Sequence, residues 1–331
     1  MVKAVALFSG GLDSQLAVKI IQEQGVEVLG VNFASPFFGG SRSVKKAAEQ
    51  LGIPLHTIDL SEEYLPLLKN PRYGFGKNLN PCIDCHGLML KLAGQYMEKV
   101  GADFIITGEV LKQRPKSQHR DALHIVEKLS GYPGRILRPL SAKLLPPTKP
   151  ELQGLVDRDR LLDISGRSRK PQLELAKKYG LTDYPSPAGG CLLTLPSFAI
   201  RLRRLLSLKP NPTNVELERL KIGRHFFGRE GFYLIIGRKH DENLALQDSA
   251  GPGELLLKVA THPGPVGLFY KLSRFAISEA ELSAAAAITA RYSDARELKA
   301  VPVKYWTVDG DPGLIRVDPL DPSEVPGLES N

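Results

Sequence analysis

Phe8-Ser9-Gly10-Gly11-Leu12-Asp13-Ser14 decides how this chain is read. Ahead of it, Val2 to Phe8 is a short apolar, β-favouring run. Behind it, Gln15 to Gln24 sets Leu16, Ala17, Ile20 and Ile21 on one helical face. A strand, a glycine turn and a helix in that order make a phosphate cradle. The glycines let backbone N–H groups approach oxygen atoms, and the helix N-terminus adds partial positive charge. Ser9 and Ser14 offer hydroxyls, and Asp13 suits a magnesium ion or a helix cap. An ordinary βα turn is the plainer alternative. Two serines and an aspartate in this setting, without the lysine of a Walker loop, favour a nucleotide site.

Working outward, Val26 to Phe33 reads as a second buried strand, Ser41 to Leu51 as a helix and Leu55 to Leu60 as a third strand. Ser61 to Asn80, with Pro66, Pro71, Gly74 and Gly76, is expected to be an irregular, mobile flap. His86 to Val100 reads as a helix, and Asp103 to Gly108 and Arg135 to Leu140 as strands. Lys143 to Pro150 is a connection, and Leu173 to Tyr179 a short helix. This alternation argues an α/β fold, a Rossmann-like parallel sheet with helices on both faces and ligands at the carboxyl ends of the strands. Arg201 to Lys209 is basic. Beyond it, strands at Gly231 to Gly237, Glu254 to Ala260 and Val301 to Val308, with an alanine-rich helix from Ser278 to Tyr292, predict a smaller α+β domain. The expected division is 1–195, a basic linker 196–220, a second domain 221–310 and a flexible, proline- and acid-rich tail 311–331.

A chain of 331 residues suits two domains, and 42% hydrophobic with 24% charged residues is ordinary for a globular protein. No apolar run reaches the length of a membrane span, and the N-terminus does not read as a signal peptide, so a cytoplasmic location is expected. A net charge of +8 points towards a polyanionic partner. Three cysteines in a reducing compartment are better read as reactive or metal-bound than as disulfides.

Those cysteines carry the chemistry. Pro81-Cys82-Ile83-Asp84-Cys85-His86 opens a helix, and Cys191 ends the glycine turn Pro185-Ser186-Pro187-Ala188-Gly189-Gly190-Cys191. A Cys-x-x-Cys at a helix start is expected to lower thiol pKa and to let both sulfurs meet one metal. Two such ligands plus a distant third leave one position open, which suits a cubane cluster better than a closed zinc site. His86 as a fourth zinc ligand, a persulfide or disulfide relay, and buried inert thiols are the alternatives. Asp84 is expected as a helix cap or a base. The loop from Gly108 to Gln118 leaves a buried strand at the ligand-bearing edge. Glu109 there suits magnesium, and Gln113, Arg114, Lys116 and Gln118 suit phosphate or RNA, against the plainer reading of a solvated loop.

Ser9-Gly10-Gly11-Leu12-Asp13-Ser14 resembles the signature of the PP-loop ATP pyrophosphatases, of the adenine nucleotide alpha hydrolase type. Together with the Cys82–Cys85 pair, Cys191 and the Glu109 loop, it is similar to the tRNA thiouridine synthases, closest to the 4-thiouridine branch, over roughly residues 1–195. The resemblance implies that ATP and Mg2+ bind around Phe8, Ser9, Gly10, Gly11, Asp13, Ser14, Asn32, Phe33, Gly108, Glu109 and Gln113. It implies that a uridine carbonyl oxygen attacks the α-phosphate and that sulfur then displaces AMP, giving 4- or 2-thiouridine. Asp13, Cys82, Cys85 and Cys191 are the implied catalytic residues. In cluster-dependent relatives the three cysteines would hold a [4Fe–4S] cluster; in the cluster-free branch one cysteine carries a persulfide and another resolves it. The sulfur donor would be sulfide, a cysteine desulfurase or a sulfur carrier, and a homodimer is compatible with the pattern.

Gly223-Arg224-His225-Phe226-Phe227 and the segment Gly231 to Asn243 combine a buried strand with basic turns. Most of these aromatics read as core, and the arginines and lysines as phosphate contacts. Residues 221–308 resemble the RNA-binding domain of NFACT proteins, which implies a grip on tRNA. Arg114, Lys116, Arg201, Arg203, Arg204, Arg224, Arg238 and Lys239 are the RNA-binding candidates. The usual 4-thiouridine synthase has RNA-binding modules before its PP-loop, whereas this sequence opens directly on the first strand, so RNA docking is assigned to the C-terminal half. The competing functions are an amide-forming PP-loop ligase and an RNA quality-control factor that only senses nucleotide.

Overall fold

The computed structural model describes residues 1–39, 42–185, 190–273, 276–324 and 328–330. The chain divides into two compact units, Met1–Thr194 and Leu195–Asn331.

The first unit runs β1 (Lys3–Leu7), α1 (Leu12–Gln22), β2 (Glu27–Ala34), α2 (Arg42–Leu51), β3 (Leu55–Asp59), α3 (Ser61–Lys69), α4 (Cys82–Lys99), β4 (Phe104–Thr107), α5 (Arg120–Ser130), β5 (Ile136–Leu137), α6 (Lys149–Leu152) and α7 (Lys170–Lys178). Its five strands are all parallel, in the order β3-β2-β1-β4-β5. The central strands β1 and β4 are buried on both faces, which is why they read as continuous apolar runs. Helix α2 shows the complementary pattern: Val44, Ala47, Ala48 and Leu51 recur every three or four residues and enter the core beside Leu16 and Ile20 of α1. The chain leaves β1 towards β2 on one side, while β4 lies on the other. The cradle therefore sits where the strand order reverses, the usual place for a ligand in an open α/β sheet.

Helix α1 starts three residues earlier than its apolar periodicity suggests, so Asp13 and Ser14 lie in its first turn. The expected flap is a correction. Its first half is α3, despite Pro66 within it. Burial explains the override: Tyr64 and Leu68 are almost fully enclosed, and the Tyr64 ring packs on Phe37 and Phe38 at 5.5 and 5.0 Å. Asp59 also accepts from the Ser61 backbone N–H and hydroxyl, fixing the entry to α3.

The second unit holds α8 (Pro196–Leu208), α9 (Asn214–Arg219), β6 (Arg224–Phe227), β7 (Phe232–Ile236), α10 (His240–Ser249), β8 (Leu255–Val259), β9 (Gly267–Lys271), α11 (Glu279–Arg291), β10 (Val301–Trp306), β11 (Gly313–Val317) and β12 (Glu329–Ser330). These strands form one antiparallel sheet, β11-β10-β8-β9-β7-β6-β12. Strand β7 explains its architecture. Phe232, Leu234 and Ile236 enter the core shared with the alanines of α11, whereas Tyr233 and Ile235 enter a second core with Leu246 of α10. Residues 196–220, expected as a linker, are largely helical in this unit because Phe198, Ala199, Leu202 and Leu205 supply a buried stripe and Thr213 with Glu216 form a capping box. The tail expected to be flexible contributes β11, whose Val317 is buried opposite Val301. No helix among the described residues is long and apolar enough to cross a membrane.

Candidate nucleotide and thiol site

Gly10 adopts a left-handed φ of 72°, and a side chain there would press on the Val44 backbone, 3.0 Å from its Cα. Only glycine meets both demands. The Ser14 hydroxyl donates to the Gly11 carbonyl at 2.8 Å, and the Ser9 and Ser14 hydroxyls lie 3.4 Å apart. Gln15, fully buried, braces the turn by donating to the carbonyls of Gly10 (2.8 Å) and Asp183 (2.9 Å). Asn32 donates to the Phe8 carbonyl at 2.9 Å, so its side chain supports the turn from below. The rings of Phe8 and Phe33 are core, and the Phe8 backbone is itself engaged, its N–H donating to the Val31 carbonyl at 2.8 Å.

Asp13 has one oxygen engaged and one free. Its Oδ2 accepts from Gln113 Nε2 at 2.9 Å, while Oδ1 is buried without a hydrogen-bond partner. An orphaned buried carboxylate oxygen at a phosphate cradle fits a divalent cation. Gln113 in turn accepts from Gln172 at 3.4 Å. Gly108 lies against this turn so closely that a Cβ would stand 2.5 Å from the Ser14 backbone nitrogen.

Glu109 is a correction. It was expected to hold magnesium, yet its Oε1 meets His86 Nδ1 at 2.8 Å and its Oε2 meets Arg138 Nε at 2.9 Å and the Thr107 hydroxyl at 3.2 Å. Burial alone would push this carboxyl up; Arg138 and His86 outweigh it and hold it down at about 2. The group ties α4 to the end of β4, and removing Arg138 alone would cost about 3–5 kcal/mol. His86 is thereby committed to Glu109 instead of a metal. Asp84 is neither base nor cap of its own helix: it accepts from the backbone N–H groups of Arg72 (2.9 Å) and Tyr73 (3.0 Å), anchoring the loop before α4.

The two thiol-bearing segments are held side by side, Leu79 N–H donating to the Leu193 carbonyl at 3.3 Å, so that the thiols act on one another electrostatically. Charge on Cys82 or Cys191 raises the Cys85 thiol, and charge on Cys82 raises Cys191. The segment bearing Cys191 is stitched to two others: Leu192 N–H donates to the Phe37 carbonyl at 2.9 Å, and the Asn78 amide donates to the Thr194 carbonyl at 2.7 Å. Residues 186–189, the middle of the quoted glycine turn, lie outside the described residues, as does Ser41. Asn80 donates to the Cys82 sulfur at 3.1 Å, and the buried Tyr64 hydroxyl is hydrogen-bonded to Cys85. Neither partner was singled out from sequence. The expectation of lowered thiol pKa is reversed: burial pushes Cys85 up to about 12 and Cys191 up to about 11, which the helix N-terminus does not offset. Among the described residues, no three His, Cys, Asp or Glu side chains gather as ligands of one metal ion. As placed, the thiols are not gathered as the ligands of one ion, and His86 is held by Glu109.

Arg114 joins the two halves of the site. It follows Gln113, which touches Asp13, and its positive charge is felt at Cys191. Arg114 is exposed, and Lys116 donates to the Tyr73 carbonyl at 3.1 Å. In the second unit Arg203 and Lys239 are exposed. Arg224 lies 4.8 Å over the Tyr292 ring. Arg201 is half-buried and donates to the Leu220 carbonyl at 3.0 Å; Arg204 is half-buried too. Arg238 is not a free cation, because Glu242 takes its guanidinium at 2.5 Å and is held down at about 2 by those hydrogen bonds. Phe226, Phe227, Phe232 and Tyr233 are core.

Residues 2–129 match the family model described as the tRNA methyl transferase HUP domain, and residues 223–327 that of the NFACT protein RNA binding domain. The chain is similar to the tRNA-specific 2-thiouridylase MnmA of Sulfurimonas denitrificans, 38% identical over 126 residues, 34% of this chain and 36% of the relative. The MnmA of Pelobacter propionicus is 27% identical over 186 residues, 52% of this chain and 51% of the relative. The chain thus spans about a third to a half of the length of these curated relatives. A crystal structure of a 4-thiouridine synthetase–RNA complex with bound ATP aligns with a TM-score of 0.39 at 23% identity, over 65% of this chain and 52% of that one.

Proposed function

We propose that this chain is an ATP-dependent tRNA sulfurtransferase that adenylates a uridine carbonyl oxygen and replaces it with sulfur. One observation carries the reading: the segment bearing Cys191 is hydrogen-bonded to the residues just ahead of Cys82, Leu79 N–H to the Leu193 carbonyl at 3.3 Å and the Asn78 amide to the Thr194 carbonyl at 2.7 Å, in the same unit where Gln113 holds Asp13 of the cradle. The matched 2-thiouridylases and the NFACT-type domain support tRNA as the acceptor.

ATP would lie on the turn from Ser9 to Ser14, its phosphates facing the N–H groups of α1. Asp13 would hold magnesium through Oδ1, and the ion would neutralise phosphate charge there. The uridine oxygen attacks the α-phosphate and pyrophosphate leaves. Cys82 and Cys191, both half-buried, are the thiols best placed to move sulfur; Cys85 is the enclosed one. One of the pair, loaded as a persulfide by an external sulfane-sulfur donor, adds its terminal sulfur to the activated carbon. AMP departs with the former uridine oxygen. The second thiolate attacks the inner sulfur, the S–S bond of the persulfide breaks, and thiouridine is released as the two cysteines form a disulfide. An external dithiol reduces that disulfide for the next turnover. No step is routed through the [4Fe–4S] cluster expected from the sequence, because the described thiols are not gathered as ligands of one metal ion.

An amide-forming ligase gives the thiols no task, and a passive nucleotide sensor gives none to a cation-ready Asp13. The test is pyrophosphate release by the purified chain with ATP, with and without tRNA. The reading expects release that depends on tRNA, and colourless protein after anaerobic purification. Release indifferent to tRNA would refute the acceptor, and a brown protein would refute the relay.

A further inference from the structure

The loop after β4 has a neighbour that the reading above leaves idle. Residues 164–172, Ile-Ser-Gly-Arg-Ser-Arg-Lys-Pro-Gln, run beside residues 111–118, Leu-Lys-Gln-Arg-Pro-Lys-Ser-Gln. The two are clamped together: Gly166 N–H donates to the Leu111 carbonyl at 2.7 Å, Leu111 bridges Ser165, and Gln172 donates to Gln113. The buried Ser141 hydroxyl serves both, accepting from Leu111 N–H at 2.9 Å and donating to the Ile164 carbonyl at 2.6 Å.

Between them the loops carry Lys112, Arg114, Lys116, Arg167, Arg169 and Lys170, and not one acidic residue. Lys112, Arg114, Arg167 and Lys170 are exposed. None of the six stands in an ion pair among the described residues, although most buried cations of this chain do, as Arg138 and Arg219 show. The Arg169 Nε is buried without a partner. Lys112 is also held at a left-handed φ of 63°, a conformation that a long side chain adopts only when its surroundings impose it. Six like charges on two clamped loops repel one another, and neither loop has an acid of its own to offset them, the Asp13 carboxylate at Gln113 being a single neighbouring negative charge. A polyanion supplies the missing charge.

We infer that these two loops are a tRNA backbone grip built into the first unit, in which Lys112, Arg114, Arg167 and Lys170 contact phosphodiesters beside the thiols. The inference rests on the tRNA reading above and extends the RNA contacts expected of Arg114 and Lys116 to Lys112, Arg167 and Lys170. The exposed setting fits a strand lying across the loops better than the phosphates of one enclosed nucleotide. Because Gln113 contacts Asp13 and Arg114 is felt at Cys191, RNA held here is anchored within the same constellation that would activate and thiolate its uridine.

The test uses the full chain and a triple variant, Lys112→Gln, Arg167→Gln, Lys170→Gln, all at exposed positions. Affinity for an unmodified tRNA transcript is measured from about 50 to 200 mM KCl. Each lost phosphate contact should reduce the slope of log K against log salt by about 0.7–0.9, roughly 2 to 3 in all. Unchanged slope in the variant, with the parent chain binding normally, overturns the inference alone. A parent chain that does not bind tRNA overturns the reading beneath it. ATP affinity without tRNA separates the two sources of phosphate: a fall in the variant would assign the loops to the nucleotide and overturn the grip.

Discussion

One methyl group added at Gly108 should disable the proposed nucleotide site while leaving the first unit folded. A Cβ at this position would lie 2.5 Å from the Ser14 nitrogen and 2.6 Å from the Asp13 carbonyl carbon, both backbone atoms of the first turn of α1. Neither can rotate away as a side chain would. Restoring ordinary contact requires the end of β4 and the start of α1 to separate by roughly 1 Å. Overpacking of this kind costs about 1–3 kcal/mol, which a domain of this size tolerates. The same displacement at a site that must align an attacking oxygen with a phosphate costs about 100-fold in rate. Gly108→Ala should therefore show a modest drop in urea midpoint and a loss of about two orders of magnitude in tRNA-dependent pyrophosphate release. A folded variant that releases pyrophosphate at the parent rate would refute the reasoning, because the turn would then not be where the nucleotide is held.

Asp13→Ala should abolish pyrophosphate release and leave tRNA affinity within about twofold, checked by filter binding, since Asp13 faces the cradle and carries no part of the basic loops. Cys191→Ser should keep pyrophosphate release and eliminate thiolated product, read by mass spectrometry of digested tRNA. Acid should loosen the two units in different windows. Burial, with Arg201 adding to it, pushes His225 from 6.5 down to about 3, so the folded form stays neutral while the unfolded form gains a proton; the second unit loses stability as pH falls below about 6.5. Glu109, held at about 2 against 4.5, adds stability above about pH 4.5 that is lost as pH falls towards 2. Trp306, the sole tryptophan, lies in the second unit, so its fluorescence should shift before circular dichroism reports loss of the first unit. Simultaneous transitions near pH 4 would contradict the assignment.

Much of the first unit was legible because its physics is local. Ala4 to Phe8 is apolar throughout since β1 is covered on both faces, and Gly10 after it answers to a positive φ and a close neighbour. What escaped the sequence depends on contacts between distant residues. Pro66 argued against a helix that Tyr64 and Leu68 secure by burial. Helix α5 passed unread, as did β6, β9 and α10, because the alternations of β6 and β9 vanish when both faces of a sheet are covered. At the site, Glu109 looked like a magnesium ligand until Arg138 and His86 were seen to claim both its oxygens, and nothing in the spacing of either residue announces that pairing. The thiols show the same limit from the other side. Their types and the Cys-x-x-Cys spacing pointed to one centre, but the depth at which Cys85 is enclosed, and hence its raised pKa, belongs to Tyr64 and the tertiary packing around it.

The measurement that bears most directly on this account is product analysis from the purified chain. Uniformly unmodified tRNA is incubated with ATP, magnesium and a persulfide donor, then digested and examined for thionucleosides, with AMP counted in parallel. The account expects one thiouridine formed per AMP released, from the parent chain and not from Cys191→Ser. AMP released without any thionucleoside, or thiouridine formed equally by Cys191→Ser, would contradict it.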